Sequence, residues 1–210
     1  MTKLYLKKDK VIQGNFKIKR LNLLLVFQVN CPGCFIYAIP MTTQLFKRYK
    51  SEDLNILGLS TAFEDFEYNT IENTRLLLQE KQLVGETKKE FKKQMLDKYP
   101  MEIPFPVAFD LLGNVREIFK EQEIISLTKS IMKSREFPDN VIKKDTFNLI
   151  HTHLLSQDIL PYTFTLNQLP GTPSWILFDS KCTILKSWFG YIGNIDMENV
   201  VSNLVKTSNN

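Results

Sequence analysis

Apolar and polar positions divide the chain into alternating short and long runs. Residues 1–20 alternate weakly through Leu4, Leu6, Val11, Ile12, Phe16 and Ile18, with Gly14-Asn15 between them. The pattern predicts two short strands joined at that turn. Leu23 to Val29 is an apolar run, as expected of a central strand buried on both faces. A helical pattern follows through Phe35, Ile36, Ile39, Leu45 and Phe46, with Pro40 inside it as an expected kink. Leu54 to Ser60 reads as the next strand. Strand, helix and strand with short connections predict a right-handed βαβ unit and a parallel pair.

Helical patterns continue over Thr70 to Gln82 and Thr87 to Leu96, broken near Gly85, and Val107 to Asp110 reads as a strand. Residues 111 to about 160 are mostly helical in pattern, with candidates at Val115 to Lys133 and Val141 to Leu155. After the loop Leu169-Pro170-Gly171-Thr172-Pro173-Ser174, two antiparallel strands are expected over Trp175 to Asp179 and Thr183 to Phe189, turning at Asp179-Ser180-Lys181. An amphipathic helix is expected over Asp196 to Lys206.

With 210 residues, 43% of them hydrophobic, the chain can bury one sizeable core, and a charged fraction of 24% argues against disorder outside the tails. The net charge of +4 is concentrated early: Lys3, Lys7, Lys8, Lys10, Lys17, Lys19 and Arg20 face a single acid, Asp9, in the first twenty residues. Without interleaved aromatics or a DNA-binding pattern, these lysines read as guards of an edge strand rather than a nucleic-acid surface. The charged N-terminus is unlike a secretory signal and no apolar run is long enough to span a bilayer, so the expected location is cytoplasmic and no membrane partner is expected. In that compartment a close cysteine pair points to catalysis, redox sensing or metal binding rather than to a structural staple.

The candidate chemistry lies where the strand Leu23 to Val29 ends, at Asn30-Cys31-Pro32-Gly33-Cys34. Pro32 suits a first helical position because its missing N–H needs no partner there. A cysteine at a helix N-terminus faces unpaired backbone N–H groups and the positive end of the helix dipole. Its thiolate is thereby stabilised, which makes Cys31 the expected attacking sulfur. Cys34, one turn further and more buried, is the expected resolving sulfur. A structural zinc site would need two more ligands. The candidates are His151, His153 and Cys182, and a His-Thr-His pair on a helix points its rings in different directions, which argues against a metal. The two histidines read as surface or packing residues and Cys182 as a lone, partly buried thiol.

These features together resemble the thioredoxin superfamily. The similarity is greatest to its redoxin branch, shared by TlpA/ResA-like thiol–disulfide oxidoreductases and AhpC/TSA peroxiredoxins. The apolar strand running into Cys31-Pro32-Gly33-Cys34 carries it first. The segments Leu57-Gly58-Leu59-Ser60, Pro104-Phe105-Pro106-Val107 and Gly171-Thr172-Pro173 before an apolar strand carry the rest. The resemblance implies an α/β thioredoxin-like fold: a single domain over 1–210 with a central mixed sheet flanked by helices, and a long helical insertion at 111–165 before a cis-proline loop. It implies that Pro173 is the cis proline beside the disulfide and that Thr172 offers backbone groups to an extended substrate, with Pro32 and Gly33 completing the substrate contacts.

The chain departs from the pattern in three places. Asn30 stands where a tryptophan is usual, Leu25 where thioredoxins have a buried aspartate, and Pro40 one position beyond the usual helix proline. The implied activity is thiol–disulfide exchange with protein or small-molecule disulfide or dithiol substrates and an electron donor or acceptor, without metal or organic cofactor. A binding or redox-sensing module without turnover is one alternative. A peroxiredoxin-like peroxidase is the other, weakened because Gln28 lies three residues before Cys31 where a threonine or serine is needed.

Overall fold

A computed structural model describes residues 2–133 and 136–208. In chain order its strands are β1 (Lys8–Gln13), β2 (Leu21–Phe27), β3 (Asn55–Ser60), β4 (Val107–Asp110), β5 (Leu112–Gly113), β6 (Leu160–Pro161), β7 (Ser174–Asp179) and β8 (Ile184–Phe189). Six of them form one sheet in the order β1-β4-β3-β2-β7-β8, and β5 pairs with β6 separately. β2, β3 and β4 run parallel, while β1, β7 and β8 each run antiparallel to their neighbours, so the sheet is mixed.

β2 sits in the interior of the sheet, and all seven of its residues are buried. Its side chains serve both faces, which is why it reads as apolar sequence apart from Asn22, whose amide is hydrogen-bonded within the fold. Leu21, Leu23, Leu25 and Phe27 enter a core layer with Cys34, Phe35, Phe105 and Trp175. Leu24 and Val26 enter the opposite layer with Leu57, Leu59, Ile176 and Phe178. The βαβ expectation holds: β2 leads through a helix to β3 in parallel register, with Leu25 opposite Gly58. Gly58 has no space for a side chain, because a Cβ there would approach Phe105 Cε2 to 2.9 Å.

The helices are α1 (Ile39–Arg48), α2 (Ile71–Glu80), α3 (Gly85–Lys93), α4 (Val115–Ile118), α5 (Glu121–Met132), α6 (Asn140–Leu155), α7 (Tyr162–Leu166) and α8 (Asn194–Ser208). Side-chain caps explain several starts. Thr70 Oγ1 accepts the Asn73 N–H ahead of α2, and Asp139 Oδ1 accepts the Ile142 N–H ahead of α6.

Three sequence expectations require correction. Residues 1–20 do not form a hairpin. β1 spends its ladder on β4, and the chain turns at Gly14 (φ +67°), packed against Pro106, to bury Phe16 in the second core layer. The pattern over Val115 to Lys133 is two helices, because Phe119 and Lys120 are extended (ψ 143° and 147°) and Phe119 turns inward against the Tyr162 ring. Pro40 does not sit in a kinked α-helix. A five-residue π-helical turn, Cys34–Ala38, precedes α1, and Pro40 falls in the first turn of α1, where an N–H is dispensable.

The basic N-terminal stretch is partly absorbed by the fold. Lys7 Nζ donates to the Ile118 carbonyl and lies 3.8 Å from the centroid of the Tyr162 ring. Lys8 and Lys10 are exposed on the edge strand β1, where charge discourages pairing with another chain.

Between β4 and β7 the chain forms α4, α5, α6 and α7 with the β5–β6 pair. This segment is fastened to the sheet through Asp110. Its carboxylate accepts hydrogen bonds from the Thr163 N–H (2.9 Å), the Phe164 N–H (3.0 Å) and Thr61 Oγ1 (3.0 Å). Burial outweighs these three donors and pushes the carboxyl from 3.8 up to about 6. The folded protein therefore holds this proton more tightly than the unfolded chain does. Its stabilising contribution is complete below about pH 4 and is lost as the pH rises through about 6. The step from 3.8 to about 6 corresponds to about 3 kcal/mol. Denaturant titrations from pH 4 to 7 are expected to show this loss as a difference between the native protein and Asp110→Asn, in which that pH dependence disappears.

Candidate active site

The end of β2 delivers Cys31 to the C-terminal edge of the parallel strands. Phe27 is tied to β3 by the Thr61 N–H, which donates to its carbonyl at 2.9 Å. Pro32 is the first helical residue and Gly33 is helical at φ −62°, ψ −31°. The turn brings the Cys34 N–H to the Cys31 carbonyl at 3.0 Å and to Cys31 Sγ at 3.3 Å. The two cysteines are joined as a disulfide with Cα atoms 5.4 Å apart. Cys31 is half-buried at the surface, whereas Cys34 is fully buried in the core layer under β2. This asymmetry leaves Cys31 the more accessible of the two sulfurs.

The loop before β7 closes over this pair. The Thr172–Pro173 peptide is cis, and the Thr172 carbonyl lies 3.6 Å from Cys31 Sγ. Cys31, Pro32 and Thr172 line one groove of about 400 Å³ with Gln28, Asn30, Phe63, Glu64, Pro170, Gly171 and Phe189. Pro173 is buried behind it and Gly33 is exposed on the helical turn, so neither is part of the groove lining.

Several groove residues were not expected as site residues, although Gln28 and Asn30 stood out in the sequence as departures from family patterns. Gln28, just past the end of β2, is 1% exposed. Its Oε1 accepts the Thr172 hydroxyl at 3.2 Å and its Nε2 donates to the Glu64 carbonyl at 3.4 Å. A buried amide interrupting the run Leu21–Val29 was the available signal, because such a group must find partners. Asn30, in the position where tryptophan is usual, is a junction instead. Its N–H donates to Asn69 Oδ1 (2.9 Å), its Nδ2 donates to Asp65 Oδ2 (2.8 Å), and its Oδ1 accepts the Glu86 N–H (2.6 Å). Gly85 is required beside it: a Cβ there would stand 2.2 Å from Asn30 Oδ1, and φ is +48°.

The groove walls are aromatic. Phe63 stacks face to face on Phe164 of α7, with centroids 4.0 Å apart. The segment between β4 and β7 therefore backs one wall, and Asp110 fixes the backbone of Phe164 that supplies the backing. Phe189 also lines the groove and covers Gly171 so closely that a Cβ at Gly171 would fall 2.8 Å from the ring. Tyr37, three residues after Cys34, is tied through its hydroxyl to the Ile192 backbone, and desolvation raises its pKa.

The remaining candidates lie elsewhere. Cys182 is a free, half-buried thiol at the β7–β8 turn. His151 stacks on Phe147 within α6, and its Nδ1 is buried without a hydrogen-bond partner. His153 is exposed on the same helix. Among the described residues, no three His, Cys, Asp or Glu side chains gather in a geometry that could hold a metal ion, and no helix is long and apolar enough to cross a membrane.

No family model and no curated protein matches the sequence. Solved structures do match the fold. A thiol-disulfide isomerase from Corynebacterium glutamicum is similar over 97% of this chain and 96% of its own, with a TM-score of 0.59 and 19% identity. A thioredoxin-like superfamily protein is similar over 98% of this chain and 97% of its own, with a TM-score of 0.59 and 17% identity. The chain has the thioredoxin-like fold, with its cysteine pair at disulfide distance.

Proposed function

We propose that the chain is a thiol–disulfide oxidoreductase acting through Cys31 and Cys34. The observation that carries this reading is the placement of Cys31 Sγ in a surface groove beneath the Thr172 carbonyl, with Cys34 buried one turn behind it. In the reducing direction the Cys31 thiolate attacks one sulfur of a substrate disulfide. A mixed disulfide forms and a substrate thiolate leaves. The Cys34 thiolate then attacks Cys31 Sγ, releasing the second substrate thiolate and closing the Cys31–Cys34 disulfide. Two electrons and two protons reach the substrate, and a dithiol donor must reopen the pair. Run backwards, the same steps oxidise a substrate dithiol. Neither direction requires a metal or an organic cofactor.

Thr172 forms the ledge along which an extended substrate segment lies, with Pro32 on the facing turn, while buried Pro173 supports Thr172 from behind. Leu25 occupies the interior position where thioredoxins carry a carboxylate, and it is fully buried in apolar surroundings. The Cys34 proton therefore leaves through water or through the departing substrate thiolate. The cytoplasmic setting belongs to this reading as well.

A second reading is a thioredoxin-like scaffold that senses redox state and binds a partner without turnover. It is favoured by α6, none of whose residues is fully buried and which exposes Val141, Ile142 and Leu149. Insulin reduction separates the two. With dithiothreitol as donor, substoichiometric protein is expected to precipitate the insulin B chain over many turnovers. Reaction limited to one disulfide per protein molecule would instead support the sensor.

A further inference from the structure

The groove over Cys31 is chemically one-sided. Its walls are the rings of Phe63 and Phe189, and the charged side chain on its lining is Glu64. Glu64 belongs to the segment Phe63-Glu64-Asp65-Phe66-Glu67-Tyr68, and no lysine or arginine occurs anywhere between Lys50 and Arg75. Arg75 itself is paired with Glu72. The backbone of Glu64 is pinned from two sides, because Gln28 Nε2 (3.4 Å) and Asn69 Nδ2 (2.9 Å) both donate to its carbonyl. Its carboxylate has no ion-pair or hydrogen-bond partner among the described residues. Phe66 and Tyr68 extend the exposed aromatic surface along the same loop, and Phe189 is exposed on the other side.

The sulfur of Cys31 indicates that a ligand must enter here, since exchange requires the substrate disulfide to reach it. Residues flanking the attacked cysteine then lie against two aromatic side chains and the exposed carboxylate of Glu64, whose backbone is held in place. Resting on the exchange reading above, we propose that the groove selects polypeptide disulfides whose reacting cysteine is flanked by a lysine or arginine next to an apolar or aromatic residue, with Glu64 reading the charge. The rings offer apolar contact area, and Glu64 sits where a neighbouring acidic residue would be repelled. Such selection acts by attracting one flank and repelling its opposite, so it appears in the ratio of rates between substrates.

The test uses the full chain and three synthetic peptides, each closed by one disulfide and identical except for lysine, serine or glutamate beside the first cysteine. Reduction is followed by chromatography, and kcat/KM is compared. The expected result at low salt is a preference of about tenfold for the lysine peptide over the glutamate peptide. The preference should shrink to about twofold at about 0.5 M salt as charge is screened. In Glu64→Gln the lysine-to-glutamate ratio should fall to about threefold or less. Equal rates on the three peptides, or a preference unchanged in Glu64→Gln, would overturn the inference while leaving the exchange reading standing. No turnover of any peptide, the serine version included, would remove the exchange reading and this inference with it.

Discussion

Cys31→Ser is expected to abolish turnover, with a loss of about a thousandfold or more in insulin reduction. No other sulfur can substitute: Cys34 is fully buried beneath the helix start, and the remaining cysteine, Cys182, lies at the β7–β8 turn. Cys34→Ser should behave differently. Its Cys31 remains reactive, and the Cys34 backbone N–H that donates to Cys31 Sγ is still present. Attack therefore proceeds but resolution does not, and a mixed disulfide with substrate accumulates. A non-reducing gel checks this as a band of protein plus substrate that dithiothreitol removes. Accumulation in the Cys31→Ser protein instead would invert the roles assigned to the two sulfurs.

Trp175→Ala is expected to produce the largest loss of stability, about 4 kcal/mol, with a Tm lower by about 10 °C. The indole is completely buried in β7, opposite Leu25 of β2 on one side and Trp188 of β8 on the other. Its edge meets the Tyr37 ring with centroids 5.8 Å apart, and its Nε1 donates to Thr42 Oγ1 at 3.0 Å. Removal leaves a cavity between the sheet and the cysteine-bearing helix and a buried hydroxyl without its donor. Trp175→Phe keeps most of the packing and is expected to cost less than half as much. Because Trp175 follows Pro173 by two residues, the Ala variant should also lose activity at temperatures where it is still folded. Urea unfolding followed by circular dichroism measures the first effect, and insulin reduction at 25 °C measures the second.

Much of this was legible in the sequence because the informative residues are local. Leu23 to Val29 read as an interior strand, and Leu23–Phe27 of it lie in β2; a strand running into Cys31-Pro32-Gly33-Cys34 places a sulfur at a helix start. Gly171-Thr172-Pro173 before an apolar run was legible only through resemblance, since nothing in that tripeptide says it approaches a residue 141 positions away. The groove walls were not legible. Phe63 follows β3 and Phe164 lies in α7, with α2, α3, β4 and most of the segment between β4 and β7 intervening, and Asp110, which holds the Phe164 backbone, shows its role only once Thr163 and Phe164 fold back onto it. The N-terminal hairpin was misread because alternation in Leu4 to Ile18 marks strand character without naming the partner, and β4 was the partner for Lys8–Gln13. The break at Phe119 was missed because one apolar residue facing the core looks the same in a continuous helix as in a turn.

The most direct test of the account is the equilibrium of the Cys31–Cys34 pair with glutathione, read by thiol trapping and mass spectrometry. The account predicts a reversible two-electron couple between about −120 and −270 mV, the range of catalytic dithiols, lost in Cys31→Ser. A pair that never closes, or one that stays closed below about −300 mV as structural disulfides do, would contradict it.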